Sequence, residues 1–362
     1  MAKMKEMKGL ILCAGLGTRM RPITYTIVKP LIPVANKPCI HYGIEALRGA
    51  GIKDVGIVVG VTGPTVMKAL GNGKKWGMNF TYITQENPGG LAHAALCAED
   101  FVGDSPFLMY LGDNLIQSGV TELADRFRKG GSAATIMLKP VPEPQHFGVA
   151  EVGRGNVIKS LVEKPKKPKS NLAIIGIYCF TPQIFEAARS IKPSWRGELE
   201  ITDAIAWLLA NGRRVDCHIT EGWWHDTGQK NDMLEANRSV LGQISRSNIA
   251  GKADKASRIT GKVVIEKGAT VINSRVHGPS VIARGAVIED SYVGPFTAVD
   301  EKARVTRSEV ADSILMRECV VEDLPGRLQS SLVGPLARIG GGAARPRIIS
   351  CMISDRSQID IF

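Results

Sequence analysis

Near the start of the chain, Gly15-Leu16-Gly17-Thr18-Arg19 is followed by Lys29-Pro30-Leu31, a set of residue types suited to holding a polyphosphate. Glycines after a strand let backbone N–H groups close around phosphate oxygens, and the basic side chains that follow neutralise charge on a triphosphate. Lys29 is out of place as a routine core residue beside Pro30 and Leu31, and its ammonium suits a phosphate contact reaching in from a loop. The pattern is not a Walker loop, because no Gly-Lys-Ser/Thr follows. Nor is it the dinucleotide fingerprint, whose third glycine is missing. Taken alone, G-x-G-x-R also reads as a tight turn.

Two carboxylates stand at comparable places further on. Asp113 follows the apolar run Phe107 to Leu111 after Gly112, and Asp226 follows Trp223 and Trp224 near another strand end. Carboxylates from distant segments can converge on Mg²⁺, a hard cation that takes few protein carboxylates and fills its shell with substrate phosphates. Either one alone also reads as a capping or turn aspartate. In Gln85-Glu86-Asn87-Pro88-Gly89-Gly90-Leu91-Ala92-His93, a glutamine and a glycine turn before a helix could bracket a pyrimidine base, the amide reading its edge. His93, one turn into that helix, reads as structural. Glu163 can accept hydrogen bonds from hydroxyl groups and Lys164 can hold a phosphate, although Lys164, Lys166, Lys167 and Lys169 also read as a solvated run.

The elements that must position these residues change character near residue 245. Before it, apolar β-type runs (Lys8 to Cys13, Val55 to Val59, Asn79 to Ile83, Phe107 to Leu111) alternate with helical patterns, as in an α/β sheet with many parallel strands. Ligands of such sheets sit at the carboxyl ends of the strands, where the loops above begin. After it, aliphatic residues recur about every six positions, with small residues at the corners (Gly268, Ala269, Gly278, Gly285, Ala286, Gly294). That hexapeptide period predicts a parallel β-helix whose stacked aliphatics fill its axis. The expected domains are 1–244 and 245–362, with Pro325 to Phe362 as terminal coils or a cap.

Composition narrows the classes. The 362 residues are 44% hydrophobic with a net charge of +11, a globular chain that favours an anionic partner. No stretch approaches the roughly 18 uncharged apolar residues of a membrane span. Seven cysteines without a C-x-x-C pair fit reduced thiols in a cytoplasmic protein. Nucleic acid is not the expected partner: there is no zinc spacing, RNP-like motif or long basic helix interleaved with aromatics.

The run Gly15 to Pro38 resembles the signature of sugar-phosphate nucleotidyltransferases. Within them, Leu111-Gly112-Asp113-Asn114, Arg196-Gly197-Glu198-Leu199-Glu200-Ile201-Thr202-Asp203 and Trp224-His225-Asp226-Thr227-Gly228 resemble glucose-1-phosphate thymidylyltransferases, and the hexapeptide tail resembles their long form. The resemblance spans nearly the whole chain, with the motifs in the family's order. It implies a Rossmann-like nucleotidyltransferase domain with a mixed, mainly parallel sheet, followed by a C-terminal left-handed parallel β-helix. It implies Mg²⁺ on Asp113 and Asp226, and catalytic roles for Arg19, Lys29, Asp113 and Lys164. Gly15, Gly17, Thr18, Arg19, Gln85 and Gly90 match nucleotide contacts. Asn114, Gly148, Glu163, Lys164, Gly176 and Arg196 match sugar-phosphate contacts. The implied substrates are dTTP and glucose 1-phosphate, in a cytoplasmic homo-oligomer.

Pro30 departs from the pattern, standing where many short forms have a glutamine near the triphosphate. Thymine and uracil differ by one methyl, worth about 1–3 kcal/mol in a pocket, so UTP, CTP or another sugar 1-phosphate are the neighbouring alternatives. A second alternative adds acetyl transfer in the β-helix, whose only histidine is His277. A noncatalytic binding subunit is disfavoured because Asp113, Asp226, Arg19 and Lys29 are all present.

Overall fold

The structure, a computed structural model, describes residues 5–341. The expected terminal coils beyond residue 341 lie outside the described residues. The chain divides into two compact units, one of Met1–Leu16, Val28–Pro30 and Cys39–Asp226, the other of Gly17–Ile27, Leu31–Pro38 and Thr227–Phe362.

The first unit is a Rossmann-like α/β fold on a nine-stranded mixed sheet. Its main path runs Ile158–Glu163, Gly148–Val152, Leu172–Phe180, Phe107–Leu111, Lys8–Cys13, Asp54–Val59, Asn79–Thr84. Ala134–Pro140 joins Leu172–Phe180 on one side and Val215–Ile219 on the other. Six of the nine strands have a parallel neighbour. Lys8–Cys13 and Phe107–Leu111 are almost wholly buried apolar runs rather than alternating ones, because a parallel sheet is covered on both faces. Phe107 packs flat on Phe185, ring centroids 5.5 Å apart, between sheet and helix.

Three parallel strands end at the same edge of this sheet. Lys8–Cys13 opens into Ala14-Gly15, Phe107–Leu111 into Gly112-Asp113, and Asn79–Thr84 into Gln85. A short antiparallel ribbon, Asn114–Ile116 with Trp224–Asp226, continues from Phe107–Leu111.

In the second unit, strands of two or three residues stack in parallel into sheets of six, six and five, each strand pairing with the third one after it. Val264 pairs with Val281 and Val281 with Ala298, so each hexapeptide supplies one face and three complete a coil of a parallel β-helix. Val263, Ile265, Val271, Ile288, Val305 and Val321 are fully buried along its axis. One corner column, Asn273, Asp290, Arg307 and Asp323, takes φ of 43–53°, the left-handed conformation that turns the chain sharply. Beside it the hydroxyls of Ser274, Ser291 and Ser308 form a ladder. Each accepts the backbone N–H of the next coil (3.0–3.2 Å) and donates to a carbonyl two residues back (2.6–2.9 Å), satisfying corner groups that the strands leave unpaired.

The helix Lys230–Gly242 belongs to this second unit, although its sequence resembles the helical part of the chain. Leu241 packs with Val281 and Ala298, and Asn237 donates to Phe296 O at 2.9 Å. The same asparagine accepts from Ala35 N (2.9 Å), in the hairpin of Pro33–Val34 and Lys37–Pro38, and Asn36 Nδ2 reaches Val299 O (2.8 Å). Among the described residues all six cysteines are free thiols, and no helix is long and apolar enough to cross a membrane.

Candidate active site

Gly112 is what lets the strand Phe107–Leu111 deliver Asp113. Its N–H donates to Leu12 O at 3.0 Å, and a Cβ there would lie 2.5 Å from Cys13 Sγ, so only glycine brings this loop down beside the first strand. Register then places Asp226 opposite Asn114, the neighbour of Asp113, and the two expected metal-binding carboxylates come from adjacent strands.

Lys29 is buried, and its ammonium donates to Asp113 Oδ2. Asn114 Nδ2 donates to Asp113 Oδ1 at 3.0 Å. Burial pushes the Asp113 carboxyl up, but the Lys29 charge and the hydrogen bonds from Lys29 and Asn114 outweigh it, so the group is held below its usual range. Cys13 is no competing nucleophile: burial, and then the charge of Asp113, push its thiol far up. Asp113 and Asp226 fit a magnesium ion by their chemistry, two hard oxygen donors. No group of three or more His, Cys, Asp or Glu that could hold a metal occurs among the described residues, so substrate phosphates and water would complete the shell.

Asn114 is locked on both sides. Trp224 Nε1 donates to its Oδ1 at 2.6 Å, and its carbonyl accepts from Tyr110 Oη at 2.8 Å. Trp224 meets Phe147 edge-on at 5.4 Å, and its indole also orients Asn114. Gly176 sits where the pairing of Leu172–Phe180 with Ala134–Pro140 slips between Ile174 and Tyr178. With φ 71° and a hypothetical Cβ 3.2 Å from Asn114 Oδ1, it keeps the space beside Asn114 open.

Gly148 and Glu163 lie on neighbouring antiparallel strands and are directly paired. Thr202 Oγ1 donates to Glu163 Oε2 at 2.8 Å, and a Cβ on Gly148 would touch both groups. Thr202 escaped the sequence reading, although it lies inside the quoted Arg196–Asp203 motif; nothing in its type marked it as a partner of Glu163. Lys164 follows at φ 45°, exposed, its N–H bonded to Phe147 O. Arg196 is held by a carboxylate fork: Nε to Glu200 Oε1 (3.1 Å), Nη2 to Glu200 Oε2 (3.0 Å) and Nη2 to Glu198 Oε2 (2.7 Å). Glu200 is buried and so fixes the guanidinium plane.

The Gln85 turn is stitched to that same segment. Leu199 N donates to Gly89 O (2.8 Å) and Ala92 N to Leu199 O (3.0 Å), and Gly90, φ 97°, passes so close to Leu199 that no side chain fits. Gly15 is open, with nothing near a hypothetical Cβ. Gly17, Thr18 and Arg19 belong to the second unit. There Gly17 takes φ 64°, Thr18–Met20 form one 3₁₀ turn, Thr24 Oγ1 donates to Gly17 O (2.8 Å), and Arg19 is exposed. His277 lies exposed on the β-helix, bonded to Thr260 Oγ1 at 2.8 Å.

An open α/β sheet gathers a carboxylate paired with a buried lysine, and a second carboxylate close in register, beside a thiol whose burial disfavours ionisation; that chemistry suits a protein that handles phosphate groups. The chain belongs to the nucleotidyl transferase family, whose model matches residues 8–243. It is 46% identical to a glucose-1-phosphate thymidylyltransferase of Streptomyces antibioticus over 98% of this chain and 99% of that one. It is 45% identical to a low-salt glycan biosynthesis nucleotidyltransferase of Haloferax volcanii, over 92% and 94%. Among solved structures, UDP-glucose pyrophosphorylase complexed with UDP-glucose is similar, with TM-score 0.59, 31% identity, and coverage of 66% of this chain and 99% of that one.

Proposed function

We propose that this nucleotidyltransferase moves a thymidylyl group from dTTP to glucose 1-phosphate, giving dTDP-glucose and pyrophosphate. Residues 1–244 do the chemistry, and the domain expected over 245–362, a left-handed β-helix described as far as residue 341, associates copies into a cytoplasmic homo-oligomer. The observation that carries the reading is the pairing of Asp113 with Lys29, next to Asp226 across the short ribbon. The identity to the Streptomyces thymidylyltransferase over nearly its whole length supports the choice of substrates.

A phosphate oxygen of glucose 1-phosphate forms the new bond to the α-phosphorus, and the bond from that phosphorus to the bridging oxygen of pyrophosphate breaks. The attacking group is already ionised at neutral pH, so no base is needed, and the protein contributes position and charge. Asp113 and Asp226 would hold Mg²⁺, which when bound would supply positive charge beside the triphosphate. Backbone at Gly15, Gly17 and Thr18 closes around the phosphates, and Arg19 neutralises the triphosphate and the departing pyrophosphate. Lys29 turns from Asp113 to the α-phosphate. Lys164 and Arg196 hold the attacking phosphate, Glu163 accepts from sugar hydroxyls, and Asn114, Gly148 and Gly176 shape the sugar's space. Gln85 and Gly90 receive the base.

The test is pyrophosphate release with dTTP, UTP and CTP against several sugar 1-phosphates. Highest kcat/KM is expected for dTTP with glucose 1-phosphate, with UTP within one or two orders of magnitude, because a methyl group discriminates by only about 1–3 kcal/mol. Turnover confined to UTP or CTP, or to another sugar, would reassign the substrate.

A further inference from the structure

Gln85 is buried, 5% exposed, and its amide has one orientation. Nε2 pairs with His93 Nδ1 at 2.9 Å and points to Gly90 O at a longer 3.4 Å. Turning the amide over would set Oε1 against the Gly90 carbonyl, acceptor facing acceptor, so the backbone favours this orientation, and the ring reinforces it in the tautomer whose Nδ1 accepts. The ring is itself fixed. A Cβ on Gly89 would lie 2.8 Å from His93 Cγ and 2.9 Å from Nδ1, so the imidazole packs flush on that backbone, and Gly89 is anchored by Leu199.

With Nε2 committed, Oε1 is what Gln85 can offer a base, and it can only accept. Thymine and uracil carry a donor at N3; cytosine carries an acceptor there. A freely turning glutamine would serve either kind, whereas this one matches the imino N–H and opposes the bare nitrogen.

We propose that His93 is a positioning residue for base selection: by accepting from Gln85 Nε2 it makes Gln85 present an acceptor, so the site favours thymine and uracil over cytosine. This role rests on the reading of Gln85 as the base contact. It requires the neutral imidazole with its proton on Nε2 and an accepting Nδ1. The second acceptor, Gly90 O, is too distant to hold the amide alone.

The experiment is calorimetric binding of dTTP and dCTP, with the KM for glucose 1-phosphate measured in parallel. The proteins are the full-length wild type and the variants His93→Leu, His93→Gln and Gln85→Ala. His93→Leu keeps bulk but removes the acceptor, and His93→Ala replaces it should leucine not fit beside Gly89. The ratio of the dCTP to the dTTP dissociation constant should fall at least tenfold in His93→Leu, with the sugar phosphate KM within twofold. His93→Gln, whose carbonyl can accept from Gln85, should restore most of it. Equal weakening of both nucleotides in His93→Leu, while Gln85→Ala lowers the ratio, would overturn the role of His93 and leave Gln85 at the base. An unchanged ratio in both variants would remove Gln85 from the base and the inference with it, while dTTP turnover by the wild type decides the reaction separately.

Discussion

Lys29 and Asp113 each solve the other's problem. A buried ammonium is costly without a counter-charge, and a carboxylate shaped to meet a cation needs one when no substrate is bound. Asp113→Asn should therefore harm stability as well as chemistry, by about 3 kcal/mol in urea unfolding, because it removes a counter-charge from a buried ammonium. Adding Lys29→Met should return much of that loss while leaving turnover absent. A single variant as stable as wild type would mean the pair holds nothing together. Asp226→Asn should lower turnover at least about a hundredfold in pyrophosphate release, the scale of losing one charge-stabilising group. Aspartates, glycines and basic residues stand out in the sequence as candidates because their types suggest the chemistry. Thr202 does not, because a threonine on a helix face gains meaning only when a distant strand sets a glutamate opposite it.

At the level of elements, the slip in the strand Leu172–Phe180 matters most. A Cβ on Gly176 would lie 2.7 Å from Leu111 Cδ1, and φ 71° disfavours any other residue. Gly176→Ala should cost about 1–2 kcal/mol from the left-handed backbone alone, a loss of several degrees in Tm. It should also raise KM for glucose 1-phosphate while leaving KM for dTTP near its wild-type value. Equal change in both constants would detach Gly176 from the sugar side. The alternation of strand and helix, and the six-residue period after residue 245, were legible because burial imposes them directly on the sequence. The allegiance of Lys230–Gly242 was not. An amphipathic helix advertises that one face is covered, and its pattern is silent on whether sheet or coil covers it.

Across the whole molecule, the net charge of +11 divides into about +4 after residue 245 and about +7 before it. On the β-helix many charges are paired between coils: Arg284 with Glu301, Arg307 with Asp323, Arg327 with Glu309, and Arg338 with Glu322 join residues one coil apart. Exposed pairs contribute little each, about 0–1 kcal/mol. The clamp of Arg238 on Asp312, with bonds of 2.6 and 2.5 Å, differs because Asp312 is largely sheltered. Burial raises the Asp312 carboxyl, and the hydrogen bonds from Arg238 and Ser330 with the Arg238 charge bring it below its ordinary value. Its folded pKa lies below its unfolded one, so its contribution is present above about pH 4 and disappears as pH falls through the folded value. Urea midpoints of Asp312→Asn should lie below wild type at pH 7, and the gap should narrow by pH 3. A gap independent of pH would assign the loss to shape rather than charge.

The hairpin that carries Asn36 leaves the ribosome early, but the carbonyl it bonds belongs to Val299, 263 residues later. At roughly 5–20 residues per second, about 10–50 s separate the synthesis of the two partners. For that interval Asn36 lacks the carbonyl it bonds in the folded chain. A nascent chain stalled before residue 299 should therefore remain open to proteolysis between residues 31 and 38, long after the sheet has closed around its first strand.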